Sequence, residues 1–261
     1  GFTVLRWIQL PFSAYNAANG ETWPACGDID GDGRDEIVVG LGTYTSLGGY
    51  FALYDDASTG YAFIGWRRIS WSQYNAANGE TRPAVGDATG DGKAEVFIGL
   101  GRYPSRGGRI ARYTSGSVAF SAWMQFGYSS YNSANGETWP ACGNIDDDVR
   151  DELCVGMGAY PQGGGYVQYF NDSVAKYASL GLKRVPWTEY NGAVGETRPS
   201  LGPLFGGAGD ETVIGLGSWP AARGYVAILQ RSPGYALQAW KRFPLDPYNA
   251  TNGATRPAVR R

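Results

Sequence analysis

The sequence predicts an all-β fold, a β-propeller of four-stranded antiparallel blades, on three observations. A phrase beginning Tyr-Asn recurs at Tyr15, Tyr74, Tyr131, Tyr190 and Tyr248, at spacings of 59, 57, 59 and 58 residues. Each period of about 58 residues holds four short runs rich in β-branched and aromatic residues, which is the unit of a propeller blade. Forty glycines, 14 prolines, 9 Trp, 18 Tyr and 10 Phe suit short strands joined by tight turns. No segment sustains a 3.6-residue apolar period, so a helical solenoid is excluded. The repeat runs through the whole chain, residues 1–261, and predicts one repeat domain.

In the first period the strands fall near Thr22–Gly27, Glu36–Leu41, Tyr50–Tyr54 and Ala62–Ile69. The second is a continuous apolar run, as a strand buried on both faces requires. The chain starts inside a fourth-strand segment (Phe2–Pro11) and stops just after a first-strand segment (Thr255–Arg261). That leaves four full blades and two orphan strands. The orphans pair with each other as an incomplete fifth blade, pair with a neighbouring molecule, or belong to a longer array. Gly1, with neither Met nor a leader before it, points to a removed signal peptide or an excised stretch. Periods one and three read ETWPACG where two and four read ETRP, the mark of a duplicated blade pair.

Composition narrows the chemistry. Twenty-two basic against 24 acidic residues, with 18% charged, speak against a nucleic-acid partner. The absence of histidine removes Ser-His-Asp and Cys-His triads, His-bound zinc and haem, and imidazole acid–base catalysis. No window reaches the roughly 18 apolar residues of a membrane span.

The sharpest motif is Asp28-Ile-Asp30-Gly-Asp32-Gly-Arg34-Asp35-Glu36, between strands one and two. Oxygens at positions 1, 3 and 5, a bend glycine at 6 and a carbonyl at 7 suit Ca²⁺, a hard cation seeking 6–8 oxygens. The last carboxylate stands at position 9, not 12, so this is no EF-hand. GDIDGDGRDEIVVGLG, repeated along essentially the whole chain, resembles the FG-GAP or VCBS repeat of integrin α-chain propellers, propeller lectins and microbial surface proteins. The resemblance implies a Ca²⁺-braced turn. Its first site would comprise Asp28, Asp30, Asp32, the carbonyl of Arg34, and Glu36. The second copy keeps Asp87, Thr89, Asp91 and Glu95; the third keeps Asn144, Asp146, Asp148 and Glu152 but has Val149 at the bend. The fourth, Pro203–Glu211, retains only Glu211. Affinity is expected to fall from the first copy to the second and third, and to vanish in the fourth.

The Tyr-Asn-x-x-Asn-Gly-Glu-Thr segments read as blade linkers with Asn-Gly turns. The alternative is a ring of amides and carboxylates (Glu21, Glu80, Glu137, Glu196) that holds a polar ligand. Tyr44, Tyr103, Tyr160 and Trp219, one per glycine-bounded loop, are candidate stacking platforms for sugars, with loop packing as the alternative. Trp7, Trp66, Trp123 and Trp240, exchanged with Leu182, read as core. Cys26, Cys142 and Cys154 read as buried thiols. Asn171-Asp-Ser173 and Asn249-Ala-Thr251 are glycosylation sequons.

Since no repeat installs a unique acid–base pair, the expectation is a protein without catalysis, secreted or on the cell surface where calcium is plentiful. It would act as a multivalent, lectin-like adhesion module for carbohydrate or protein ligands. The alternative is a structural subunit of a ring or fibre, self-associating through the orphan strands.

Overall fold

Proline at the third place of every first strand (Pro24, Pro83, Pro140, Pro199) cannot donate to a ladder, which confines that strand to a sheet edge. The computed structural model, which describes residues 3–104, 106–206, 209–219, 224–231 and 234–259, has this arrangement four times. Blade 1 is β1 (Thr22–Gly27), β2 (Glu36–Leu41), β3 (Tyr50–Tyr54) and β4 (Phe63–Arg68). Blade 2 is β5 (Thr81–Gly86), β6 (Glu95–Leu100), β7 (Arg109–Tyr113) and β8 (Phe120–Gln125). Blade 3 is β9 (Thr138–Gly143), β10 (Glu152–Met157), β11 (Tyr166–Phe170) and β12 (Ser179–Arg184). Blade 4 is β13 (Thr197–Gly202), β14 (Glu211–Leu216), β15 (Tyr225–Leu229) and β16 (Leu237–Arg242). Each sheet is antiparallel in sequence order. The register from Gly27↔Glu36 to Thr22↔Leu41 recurs in all four.

The apolar second strands β6, β10 and β14 are buried at every position, sandwiched between blades. Blade 1 differs. Its β1 and β2 are partly exposed, since among the described residues no blade packs on that side. The first strands stand side by side in the order β1, β5, β9, β13 around an axial cavity of 840 Å³.

Five short helices were not foreseen: α1 (Ser13–Ala18), α2 (Ser72–Ala77), α3 (Ser129–Ala134), α4 (Thr188–Ala193) and α5 (Asp246–Thr251). Six residues are too few to show an apolar period, and no side chain caps their N-termini. Each is closed by the turn after it. Gly20, at φ +71°, donates to Tyr15 O (3.2 Å), a left-handed stop that glycine adopts without cost.

The terminal segments correct the expected fifth blade. Neither residues 3–11 nor 253–259 form a strand; Phe2, Arg260 and Arg261 lie outside the described residues. A strand exists only where a partner completes its ladder. Residues 253–259 nevertheless occupy a first-strand place. Thr255 N–H donates to Leu216 O (2.9 Å), and its hydroxyl accepts from Leu216 N–H (2.8 Å) and donates to Tyr225 O (2.9 Å). Trp7, read as core, is 88% exposed for the same lack of a partner. Trp66, Trp123 and Trp240 are half-buried.

Candidate metal centre and blade interfaces

The first acidic turn is built by its own carboxylates. Asp28 accepts N–H bonds from Gly31 (2.6 Å) and Gly33 (2.8 Å), Asp30 from Asp32 (3.1 Å), and Asp32 from Arg34 (2.9 Å). Glu36, 3% exposed, reaches back from β2 and accepts at Oε2 from Ile29 N–H (2.7 Å) and Asp30 N–H (3.3 Å). Its Oε1 is buried with no hydrogen-bond partner. The Glu36 carboxyl meets carboxylates from two places. Single oxygens of Asp30, Glu36 and Asp55 lie within 4.8 Å of one another, as do those of Asp32, Glu36 and Asp56, and of Asp28, Asp30 and Asp32.

Asp55 and Asp56 follow β3 and were missed from sequence, because the loop motif counts ligands within one turn. Their signal was the Asp-Asp pair, echoed as Asn171-Asp172 in blade 3. The Arg34 guanidinium sits 3.2 Å from Asp32 and 3.8 Å from Asp56. Burial raises the Glu36 carboxyl above its ordinary range, with Asp30 and Asp28 adding to the shift.

Blade 3 repeats the arrangement. Asp146, Asp148 and Glu152 converge within 4.8 Å, and Glu152, 1% exposed, leaves Oε1 unpartnered while Oε2 accepts from Ile145 N–H (2.8 Å). Burial, then Asp146, Asp148 and Asp172, push its carboxyl up to about 8. Val149 does not prevent this, because Asp147 at φ +69° takes the left-handed turn and Val149 points outward. Asn144 accepts from Asp147 N–H (2.8 Å) and so shapes the loop, as Asp28 does.

Blade 2 corrects the expected ranking. Asp87 is occupied by the N–H groups of Gly90, Asp91 and Gly92, and both Glu95 oxygens are taken, Oε2 by Ala88 N–H (3.1 Å) and Oε1 by the Thr89 hydroxyl (3.4 Å). The turn after β7 brings Thr114 rather than an acid, so Asp87, Thr89, Asp91 and Glu95 form no three-carboxylate group. Burial, then Asp87 and Asp91, push Glu95 up to about 7. In blade 4, Gly207 and Ala208 lie outside the described residues; Glu211 accepts from Leu204 N–H (2.8 Å). Arg231 stands where blade 1 has Asp56, 3.0 Å from Asp147.

The linker motif is structural in detail. The Tyr74 hydroxyl donates to Glu80 O (2.5 Å) and accepts from Gly101 N–H (2.7 Å), and Tyr131 and Tyr190 repeat this. Asn78 donates to Arg102 O (3.1 Å) and accepts from Glu80 N–H (2.9 Å), so the second amide of the motif is internally satisfied. Asn249, the second sequon, is fully buried and donates to Phe243 O (2.6 Å). At the axis, Arg82 joins Glu80 (2.6 Å) of its own blade to Glu137 (2.5 Å) of the next and lies 3.7 Å over the Trp139 ring. Trp139 meets Trp23 edge-on at 5.2 Å, and Arg256 covers Trp23 at 4.2 Å. These residues plug the axis rather than present a ring of free carboxylates.

The loop aromatics pack against the helices. Tyr44, Tyr103, Tyr160 and Trp219 contact Tyr15, Tyr74, Tyr131 and Tyr190 at 5.4, 5.6, 5.6 and 5.6 Å. Other rings open outward instead. Pro186, Trp187, Tyr225 and Trp240 line a 430 Å³ cleft, and Pro11, Phe12, Leu47, Tyr50 and Trp66 line its 220 Å³ counterpart in blade 1. All three cysteines are free thiols; Cys154 is buried, Cys142 half-buried, and Cys26, expected buried, is exposed on the open face of blade 1. Among the described residues no helix is long and apolar enough to cross a membrane.

No protein-family model and no curated protein matches the chain. Solved structures do. Rhamnogalacturonan lyase YesW is 14% identical with TM-score 0.46, over 88% of this chain and 49% of that one. The exotype rhamnogalacturonan lyase YesX is 13% identical with TM-score 0.48, over 88% and 48%. The Dos1 propeller is 10% identical with TM-score 0.44, over 84% and 46%. The chain spans about half the length of each. Two of the three are named as lyases, which corrects the expectation of a protein without catalysis: a repeated β architecture lacking histidine is no ground for excluding a reaction.

Proposed function

We propose that this chain is a calcium-braced repeat propeller that works outside the cytoplasm as a multivalent binding module. The carrying observation is the pair of buried, unpartnered carboxylate oxygens, Glu36 Oε1 and Glu152 Oε1, on residues that each gather with further carboxylates. A buried anion without a partner is costly, and a hard cation with oxygen ligands removes that cost. In blade 1 the ion would be held by Asp30, Asp32, Glu36, Asp55 and Asp56, and in blade 3 by Asp146, Asp148 and Glu152. It would supply positive charge that joins the first acidic turn to the turn after β3. The resemblance of the turns to FG-GAP or VCBS repeats supports calcium as that ion, and external calcium fills sites of modest affinity. The outward aromatic clefts at Trp66 and Trp240 support the binding half, since flat rings in shallow clefts suit sugar faces or apolar protein side chains.

One experiment tests both halves, reading melting temperature and glycan-array binding with calcium and with EDTA. Binding at a hundredfold over Kd is worth about 2.7 kcal/mol, so chelation should lower the melting temperature by roughly 5–10 °C. The Asp30→Ala/Asp146→Ala double variant should show little further change. Trp240→Ala should reduce array binding with its melting temperature nearly unchanged. Identical melting with and without chelator overturns the metal, and an unaltered array profile overturns the clefts.

A further inference from the structure

The blades are near copies, so each serves as a control for the others. A residue that the fold needs recurs; one that stands alone in a costly place has another reason. The fourth residue of the third strand is Leu53, Tyr169 and Ile228 in blades 1, 3 and 4, but Arg112 in blade 2. Arg112, half-buried as a residue, lines a 620 Å³ cavity between blades 2 and 3. It rests 4.2 Å from the centre of the Tyr177 ring and donates from Nη2 to Ser121 Oγ (2.8 Å). Among the described residues it makes no ion pair. A cation drawn partly out of water gains from a matching anion.

A second departure lies at the same cavity. Lys176 holds φ +56° at the place where blade 1 has Gly60 at φ +70°, a conformation that costs a side chain energy and glycine nothing. Two cations therefore converge on a cavity whose single carboxylate, Glu95, is engaged in its own turn. Thr89, Thr114 and Ser121, with Met124, Phe170 and Tyr177, complete the walls.

We propose that this cavity binds a small polyhydroxylated carboxylate, a sugar acid, with its carboxylate held by Arg112 and Lys176. The ring packs against Tyr177 and Met124, and its hydroxyls meet Thr89 and Ser121. Bidentate guanidinium recognition of a carboxylate and aromatic stacking of a sugar face are the matching chemistries. A phosphate dianion fits less well, because Glu95 repels it. The site is independent of calcium, since blade 2 gathers no carboxylate cluster.

Titration calorimetry of the full chain with D-glucuronate, D-glucose and inorganic phosphate tests this. Glucuronate should bind saturably at one site per chain, and neither glucose nor phosphate should match it. Arg112→Leu and Lys176→Gly install the residues of blade 1, so both variants should keep their melting temperature. Arg112→Leu should weaken glucuronate about tenfold or more and Lys176→Gly several-fold. Glucuronate unbound at about 10 mM, phosphate bound as tightly, or unchanged affinity in Arg112→Leu overturns the proposal.

Discussion

A tyrosine hydroxyl shows how single residues hold this ring together. Tyr74 closes its helix against the outgoing strand by donating to Glu80 O and accepting from Gly101 N–H, all three groups buried. Burial forces its phenol far above the ordinary range, so it stays a donor at any pH the protein survives. Removing the oxygen strands Gly101 N–H without water. Tyr74→Phe is expected to cost about 1–3 kcal/mol in denaturant unfolding, with unchanged far-ultraviolet circular dichroism; an unaltered midpoint would show that the hydroxyl is idle. The Thr of the second, third and fourth Glu-Thr pairs works similarly. Thr81 accepts from Leu41 N–H (2.8 Å) and donates to Tyr50 O (2.8 Å), tying its first strand to the blade before it. Sequence reading assigned roles to Asn, Gly and Glu in this motif but none to Tyr or Thr; the two partners of Thr81 lie 31 and 40 residues away.

Strands and turns explain the glycines. The fifth residue of each second strand is Gly40, Gly99, Gly156 or Gly215, and the first strand of the next blade, or at Gly215 the terminal segment, crosses over it. A Cβ on Gly99 would lie 2.5 Å from Thr138 O and 2.4 Å from Pro140 Cδ, both in rigid backbone surroundings. Gly99→Ala must therefore push two blades apart, and a loss of about 1–3 kcal/mol or more is expected in thermal unfolding. A melting temperature equal to wild type would mean that the blades slide freely. The acidic turns carry a different lesson. Their ligand motif was legible, yet the share that the turn after the third strand takes in the blade 1 clusters was not. Asp55-Asp56 completes blade 1 and Thr114 leaves blade 2 incomplete.

Across the whole molecule, the axis is closed by alternation. Trp23, Arg82, Trp139, Arg198 and Arg256 occupy one ring position, the first four from successive blades and the last from the terminal segment. Arg82 is nearly inaccessible between Glu80 and Glu137. Taking away its charge leaves two carboxylates facing each other in a desolvated plug. Arg82→Met is thus expected to destabilise by about 3–5 kcal/mol, seen as an earlier urea midpoint. Restoring neutrality with Glu80→Gln and Glu137→Gln in the same chain should recover much of the loss; no recovery would locate the cost in packing instead. The duplicated ETWPACG and ETRP periods find their physical sense here, since stacked Trp and ion-paired Arg fill the same narrow space only when interleaved.

By itself the sequence determined the blade: its period, its strand bounds, its strand order and the acidic turns, since all depend on alternation, turn chemistry and contacts a few dozen residues apart. Only the tertiary structure decided which turns collect carboxylates, where each aromatic ring points, and what becomes of the two terminal segments. Those outcomes depend on neighbours one blade away, and a copy cannot encode in its own residues whether a neighbour stands beside it. Trp7 and Trp66 occupy the same place in the repeat, yet one is bare and the other half-buried, because only Trp66 has a sheet to lie against.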